Sequence, residues 1–141
     1  MTESVPPGVH YRSSGVGSVA AMPNFTPAET ARRSGFTIET LRYYEHIGLL
    51  RDIKRNASGH RVFGKDDLDW LAVLRCLRDT GMPIAAMRLY TEYVQADTAE
   101  TIPDRLALLE AHERSVAANI ALLQKQRRHL LEKIAHYREL V

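Results

Sequence analysis

Hydrophobic positions along the chain first recur with helical spacing at Phe25. Thr26-Pro27-Ala28-Glu29 has the form of a helix start. The threonine caps, proline fits the first helical position, and glutamate three residues on reaches back. Gly35 closes that helix after about two turns. Thr37 caps a second predicted helix from Ile38 to His46, in which Ile38, Leu41 and Tyr44/Glu45 keep helical spacing, and Gly48 stops it. Two short helices joined by Ser34-Gly35-Phe36-Thr37 have the outline of a helix-turn-helix, an outline many small helical domains share. From Leu49 to Phe63 the pattern changes. Ile53, then Asn56-Ala57-Ser58-Gly59, then Arg61-Val62-Phe63 predict two short strands around a polar turn. Lys65 to Thr80 predicts a third helix with Trp70, Val73, Leu74 and Leu77 as its apolar stripe. Gly81-Met82-Pro83 breaks it, and a fourth helix runs from Pro83 to Val94. Its buried side is predicted at Ile84, Met87, Tyr90 or Thr91, and Val94.

Asp97 to Glu100 is a polar loop, and Thr101-Ile102-Pro103-Asp104 is a second capping signal. From there to Leu140 there is no glycine and no further proline, which predicts one helix of about 37 residues, ~55 Å long. Spacing of 4,3,4,3 selects Ile102, Leu106, Leu109, Glu113, Val116, Ile120, Leu123, Arg127, Leu130, Ile134, Tyr137 and Val141. All but Glu113 and Arg127 are apolar, the pattern of a coiled-coil seam. The alternative is a helix lying across its own domain, but the seam runs longer than such a domain is wide. A homodimer follows. In an antiparallel pair centred near residues 121–122, Glu113 faces Leu130 of the partner and Val116 faces Arg127 of the partner. The two charges then meet diagonally. A parallel pair sets Glu113 beside its own copy and Arg127 beside its own, a like-charge cost. Antiparallel pairing is therefore expected.

Composition changes this picture in three places. The chain has 141 residues, enough for one small domain plus an extension. Residues 1–24 hold Pro6, Pro7, Gly8, Gly15, Gly17 and several serines, and are expected to form a disordered tail. Met22 just before the first pattern makes residues 1–21 a candidate leader or over-extended start. The domains expected are thus the tail, a DNA-binding-type unit over 25–96 and a dimerisation helix over 101–141. Lys+Arg number 19 against 17 Asp+Glu, a net charge of +2 that excludes a strongly cationic condenser but not a local basic surface. Arg51, Lys54, Arg55 and Arg61 against Asp52 alone give +3 over eleven residues. The single cysteine, Cys76, excludes an intrachain disulfide and multi-cysteine metal sites. No apolar run approaches the ~20 residues of a membrane span, and no secretion signal opens the chain. A cytoplasmic protein with a reduced thiol, no membrane partner and no cofactor is expected. No catalytic Ser/His/Asp order, glycine phosphate loop or metal-ligand spacing points to an enzyme.

Thr40-Leu41-Arg42-Tyr43-Tyr44-Glu45, Gly48-Leu49-Leu50, Arg55 followed after three residues by Gly59-His60-Arg61-Val62-Phe63, Asp66-Asp67-Leu68 and the Gly81 turn occur in fixed order. This set resembles the DNA-binding domain of MerR-type transcription regulators, and the likeness spans about residues 25–141. His60 and Phe63 stand where tyrosines are usual. The resemblance implies a mainly α fold: a winged helix-turn-helix with a small β-hairpin wing, followed by a long antiparallel coiled-coil dimerisation helix. It implies a homodimer on a near-palindromic promoter, distorting an over-long spacer so that RNA polymerase engages both recognition elements. Thr37, Glu39, Thr40, Arg42 and Tyr43 then belong to the DNA-facing helix, and Arg55, Asn56, His60 and Arg61 to a wing on the phosphate backbone. Tyr44 is expected to be buried and Tyr43 exposed. Dimerisation is carried by Leu106, Leu109, Glu113, Val116, Ile120, Leu123, Arg127, Leu130 and Ile134.

Metal-sensing members carry cysteines near the end of the dimer helix and in the loop after it; this sequence has none there. His112, His129 and His136 are not four residues apart and read as solvated or coil-flanking. An appended effector domain after the coil is not expected. Cys76, in Arg75-Cys76-Leu77-Arg78-Asp79, resembles the cysteine of the branch that answers aldehydes and thiol stress, often called NmlR- or AdhR-like. Its plain reading is a small packing residue at the edge of the apolar stripe. Arg75 and Arg78 point elsewhere on the helical wheel, so a reactive thiolate needs a cation from another element. Three readings compete: a regulator signalled through Cys76, a regulator with no thiol signal, and a coiled-coil adaptor that binds protein.

Overall fold

A computed structural model describes residues 24–141, so the expected tail lies outside the described residues except for Asn24. The chain falls into two compact units, one ending at Arg105 and one running Leu106–Val141.

In the first unit α1 (Pro27–Ser34) starts as the sequence predicts. The Thr26 hydroxyl accepts the Glu29 amide at 3.1 Å and donates to the Glu29 carboxylate at 3.2 Å. Gly35 follows with φ 76°, a left-handed conformation that L side chains rarely adopt. Thr37 caps α2 (Ile38–His46) by accepting the Thr40 amide at 3.1 Å. The strands β1 (Lys54–Arg55) and β2 (Arg61–Val62) pair antiparallel, Lys54 opposite Val62 and Arg55 opposite Arg61. Phe25 adds a bridge to Phe63, with amide-to-carbonyl distances of 2.7 and 2.9 Å. That bridge ties the entry of α1 to the exit of the wing across nearly forty residues, a pairing no local pattern announces.

α3 (Lys65–Asp79) opens with the buried Asp67 carboxylate accepting the Gly64 amide at 2.8 Å. α4 (Ile84–Ala96) takes Pro83 as its N-cap, not as its first helical residue. The core gathers Phe36, Leu41 and Tyr44 with Leu49, Leu50 and Phe63 from the wing's flanks and Trp70, Leu71, Leu74 and Leu77 from α3; Met87 and Val94 from α4 complete it. Fully burying each such side chain contributes roughly 1.5–3 kcal/mol. Trp70 is the hub: its indole N–H donates to the Leu49 carbonyl at 2.8 Å and its ring stacks on Tyr90 at 6.0 Å. Burial holds the Tyr90 hydroxyl above the ordinary tyrosine pKa.

Three readings of the periodicity need correction. Ile84 is exposed, because α4 buries Met87, Thr91 and Val94 and its first turn projects beyond the core. On α3 the buried row includes Leu71, and Val73 is half-buried, so the stripe is rotated toward Leu71. That rotation leaves Cys76 exposed, so of its two open readings the one as a packing residue at the stripe's edge is the one that needs correction.

A short 3₁₀ turn (Ala99–Thr101) precedes α5 (Ile102–Glu139). Thr101 spends its hydroxyl on the Tyr93 and Thr98 carbonyls, not on capping α5. Arg105 reinforces this elbow by donating to Thr101 Oγ1 at 3.1 Å and to the Tyr93 carbonyl at 2.9 Å. α5 has 38 residues, about 57 Å at helical rise. None of them is buried. Leu109 and Val116 are half-buried; Leu106, Glu113, Ile120, Leu123, Arg127, Leu130 and Ile134 are exposed. No helix among the described residues is long and apolar enough to cross a membrane.

Candidate nucleic-acid interface

The α2 helix divides its residues cleanly by face. Tyr44 is 3% exposed and meets Phe36 edge-on at 5.2 Å, whereas Tyr43, one residue earlier, is 51% exposed. Desolvation raises the Tyr44 pKa, against a lowering pull from the Arg78 charge. The outward face carries Glu39, Arg42 and Tyr43, with Thr40 half-buried. Thr37 is exposed, but its oxygen is engaged in the cap and lies 2.9 Å from the Thr40 hydroxyl.

The wing is braced by the side chains expected to touch a partner. Asn56 accepts the amides of Ser58 and His60, both at 3.0 Å, and Arg55 donates to the Gly59 carbonyl at 2.9 Å. Gly59 at φ 80° lets the four-residue turn close. Arg61 is half-buried and donates to Glu45 Oε2 at 2.7 Å, with Arg55 3.9 Å from the other carboxylate oxygen. Glu45 therefore fastens the wing to α2. Its partner Arg61 lies sixteen positions on, so neither residue signals the other in the sequence.

Between wing and helix lies an open groove of about 210 Å³. Arg42 borders it from α2, and Arg55, His60 and Arg61 border it from the wing. Pro27, Ile38, Leu41 and Phe63 form its apolar floor. Three guanidinium groups and an imidazole border one opening, against the Glu45 carboxylate that pairs with Arg61 and lies near Arg55. The net positive charge suits an anion, and phosphate oxygens match guanidinium donors. The structure thus brings together Arg42, Arg55, His60 and Arg61. Asn56 serves the wing turn, and Glu39 and Tyr43 occupy the adjoining face of α2. Cys76 belongs to α3 and is not part of this groove.

Residues 25–93 match the MerR HTH family of regulatory proteins. An HTH-type transcriptional regulator of Haemophilus influenzae is 35% identical over 115 residues, covering 82% of this chain and 84% of that one. The chain belongs to the MerR family. It is a DNA-binding transcriptional regulator, mainly helical, with a helix-turn-helix, a two-stranded wing and a long C-terminal helix. The HTH-type transcriptional regulator AdhR of Bacillus subtilis is 33% identical over 105 residues, 74% of this chain and 64% of AdhR. The crystal structure of HiNmlR, described as a MerR family regulator lacking the sensor domain and bound to promoter DNA, superposes with a TM-score of 0.77. It is 34% identical, covering 83% of this chain and 92% of that one.

Proposed function

We propose that this MerR regulator acts as a homodimer on a near-palindromic promoter in the cytoplasm, with α2 in the major groove and the wing on the phosphate backbone. The observation that carries this reading is the cationic groove shared by Arg42, Arg55, His60 and Arg61. Exposed Glu39, Arg42 and Tyr43 sit on the neighbouring helix face, where base edges and phosphates lie within reach. HiNmlR's described complex with promoter DNA supports the same use of the domain here. The 25–96 segment is the DNA-binding domain and 101–141 the dimerisation helix in this reading.

The second element is α5. Its seam leaves Ile102, Leu106, Ile120, Leu123, Leu130, Ile134 and Tyr137 exposed, an unpaired apolar row that a second copy covers. Antiparallel pairing brings Glu113 toward Arg127 of the partner and gives the dimer two recognition helices, one for each half-site. Binding both half-sites of an over-long spacer bends and untwists the DNA, which presents both promoter elements to RNA polymerase.

The signal we assign is modification of Cys76. Its thiol is exposed on α3, so a reagent reaches it. Addition of the thiol S–H across an aldehyde C=O forms an S–C bond at the expense of the C=O π bond and moves the proton to the oxygen, giving a hemithioacetal with no leaving group and no oxidant. The two arginines flanking it in sequence are turned to other partners: Arg75 to Ser34 and Asp79, and Arg78 to Asp79.

Quantitative mobility shift over a salt series tests the DNA reading. Arg42→Ala is expected to weaken operator binding and to lower the salt slope by about one unit. Unchanged affinity in Arg42→Ala and Arg55→Ala together removes the groove from the interface.

A further inference from the structure

Asp79 is the last residue of α3, where the helix dipole disfavours an anion. It is nonetheless bound from two sides. Arg75 donates to Oδ2 at 3.2 Å, and Arg78 donates to Oδ1 through Nε and Nη2, both at 3.1 Å. Hydrogen bonds from Arg75 and Arg78 hold the Asp79 carboxyl below its usual pKa. Each arginine also reaches beyond α3. Arg75 donates through Nη1 to the Ser34 carbonyl at 3.0 Å, at the end of α1. Its guanidinium lies so close over Gly35 that a Cβ there would overlap it. Arg78 lies 4.5 Å above the ring of Phe36, in the turn that leads into α2. Phe36 packs in turn on Tyr44.

We infer that Arg75, Arg78 and Asp79 form a positioning clamp that sets the angle of α2 from behind, and so tunes operator recognition without touching DNA. Ser34, Gly35 and Phe36 are the turn on which α2 hangs, and Tyr44 is a buried anchor in its middle. The clamp therefore holds α2 at its root and reaches its centre through the Phe36 ring, which packs on Tyr44. The carboxylate fixes the two guanidinium groups relative to each other, which neither helix propensity nor core packing requires at an exposed helix end. A tilt of α2 by a fraction of an ångström moves Glu39, Arg42 and Tyr43 together, since they share its rigid outer face.

The inference rests on α2 being the recognition helix, so Arg42→Ala is run alongside. The probe is a duplex enriched from a random-sequence pool by the wild-type chain, with an unrelated duplex for nonspecific binding. Asp79→Asn, on an exposed residue, leaves the core intact, and thermal melting of the full chain checks this. Asp79→Asn and Arg78→Lys are expected to lose about tenfold in affinity for the selected duplex, with nonspecific affinity and salt slope unchanged. Four outcomes overturn the clamp. They are wild-type affinity in both variants, tighter binding by Asp79→Asn as simple charge removal predicts, a shallower salt slope in Arg75→Ala or Arg78→Ala showing phosphate contact, or equal losses on both duplexes. If Arg42→Ala itself binds like the wild type, the recognition-helix reading fails, and the clamp with it. If Arg42→Ala weakens binding while the clamp variants do not, the clamp alone fails.

Discussion

Leu123→Ala probes the proposed dimer at its centre. In an antiparallel pair centred near 121–122, Leu123 of each protomer meets Ile120 of the partner, so one substitution changes two adjacent sites. Leu123 is 69% exposed along the helix, which is the surface a partner can cover. Removing three carbons at about 0.8 kcal/mol each, scaled to that exposure, costs roughly 1.6 kcal/mol per protomer. Two copies cost about 3 kcal/mol, which raises the dimer Kd by a factor on the order of 100. Alanine is the best helix former, so α5 itself is not weakened. Leu122→Ala is the control: that residue is 54% exposed but turned about 100° from the seam, and the dimer constant is expected to stay within a factor of about two. Sedimentation equilibrium over a concentration series reads both. An unchanged Kd in Leu123→Ala, or a wild-type chain that stays monomeric throughout, refutes the seam. Direction is tested on a Cys76→Ser background. Mixed Leu109→Cys and Ile134→Cys chains cross-link to each other only if antiparallel, and Leu109→Cys cross-links to itself only if parallel.

Two further outcomes are expected. Trp70→Phe leaves the fully buried Leu49 carbonyl without its 2.8 Å donor, at a cost of about 1–3 kcal/mol, and should lower Tm by roughly 5–15 °C in a thermal melt. Cys76→Ser should bind the selected duplex as the wild type does, yet lose the response of a reporter promoter to aldehyde; a full response in that variant excludes the thiol as the signal.

Much of the fold was legible because its signals are local. Thr26 and Thr37 cap within their own turn, and Gly35 and Gly59 mark left-handed turns. The 4,3 seam from Ile102 onward repeats along a single helix. The division of Tyr43 from Tyr44 also follows from the 100° step of an α-helix. Sequence thus determined the order of elements, the helix-turn-helix, the wing, the basic segment over 51–61 and the long helix with its apolar row.

What only the tertiary structure decided are pairings between residues far apart in the chain. Arg61 is held by Glu45, Phe25 bridges Phe63, and Arg75 reaches back to Ser34 across forty-one positions. The side chains of Arg75 and Arg78 look like a solvated helix surface in the sequence. Their actual partners appear only when α1, α2 and α3 are packed together. The exposure of Cys76 was decided the same way: a small rotation of α3 that buries Leu71 turns the thiol outward. Periodicity fixes which residues share a face, but the direction in which that face points is set by the neighbouring elements that bury it.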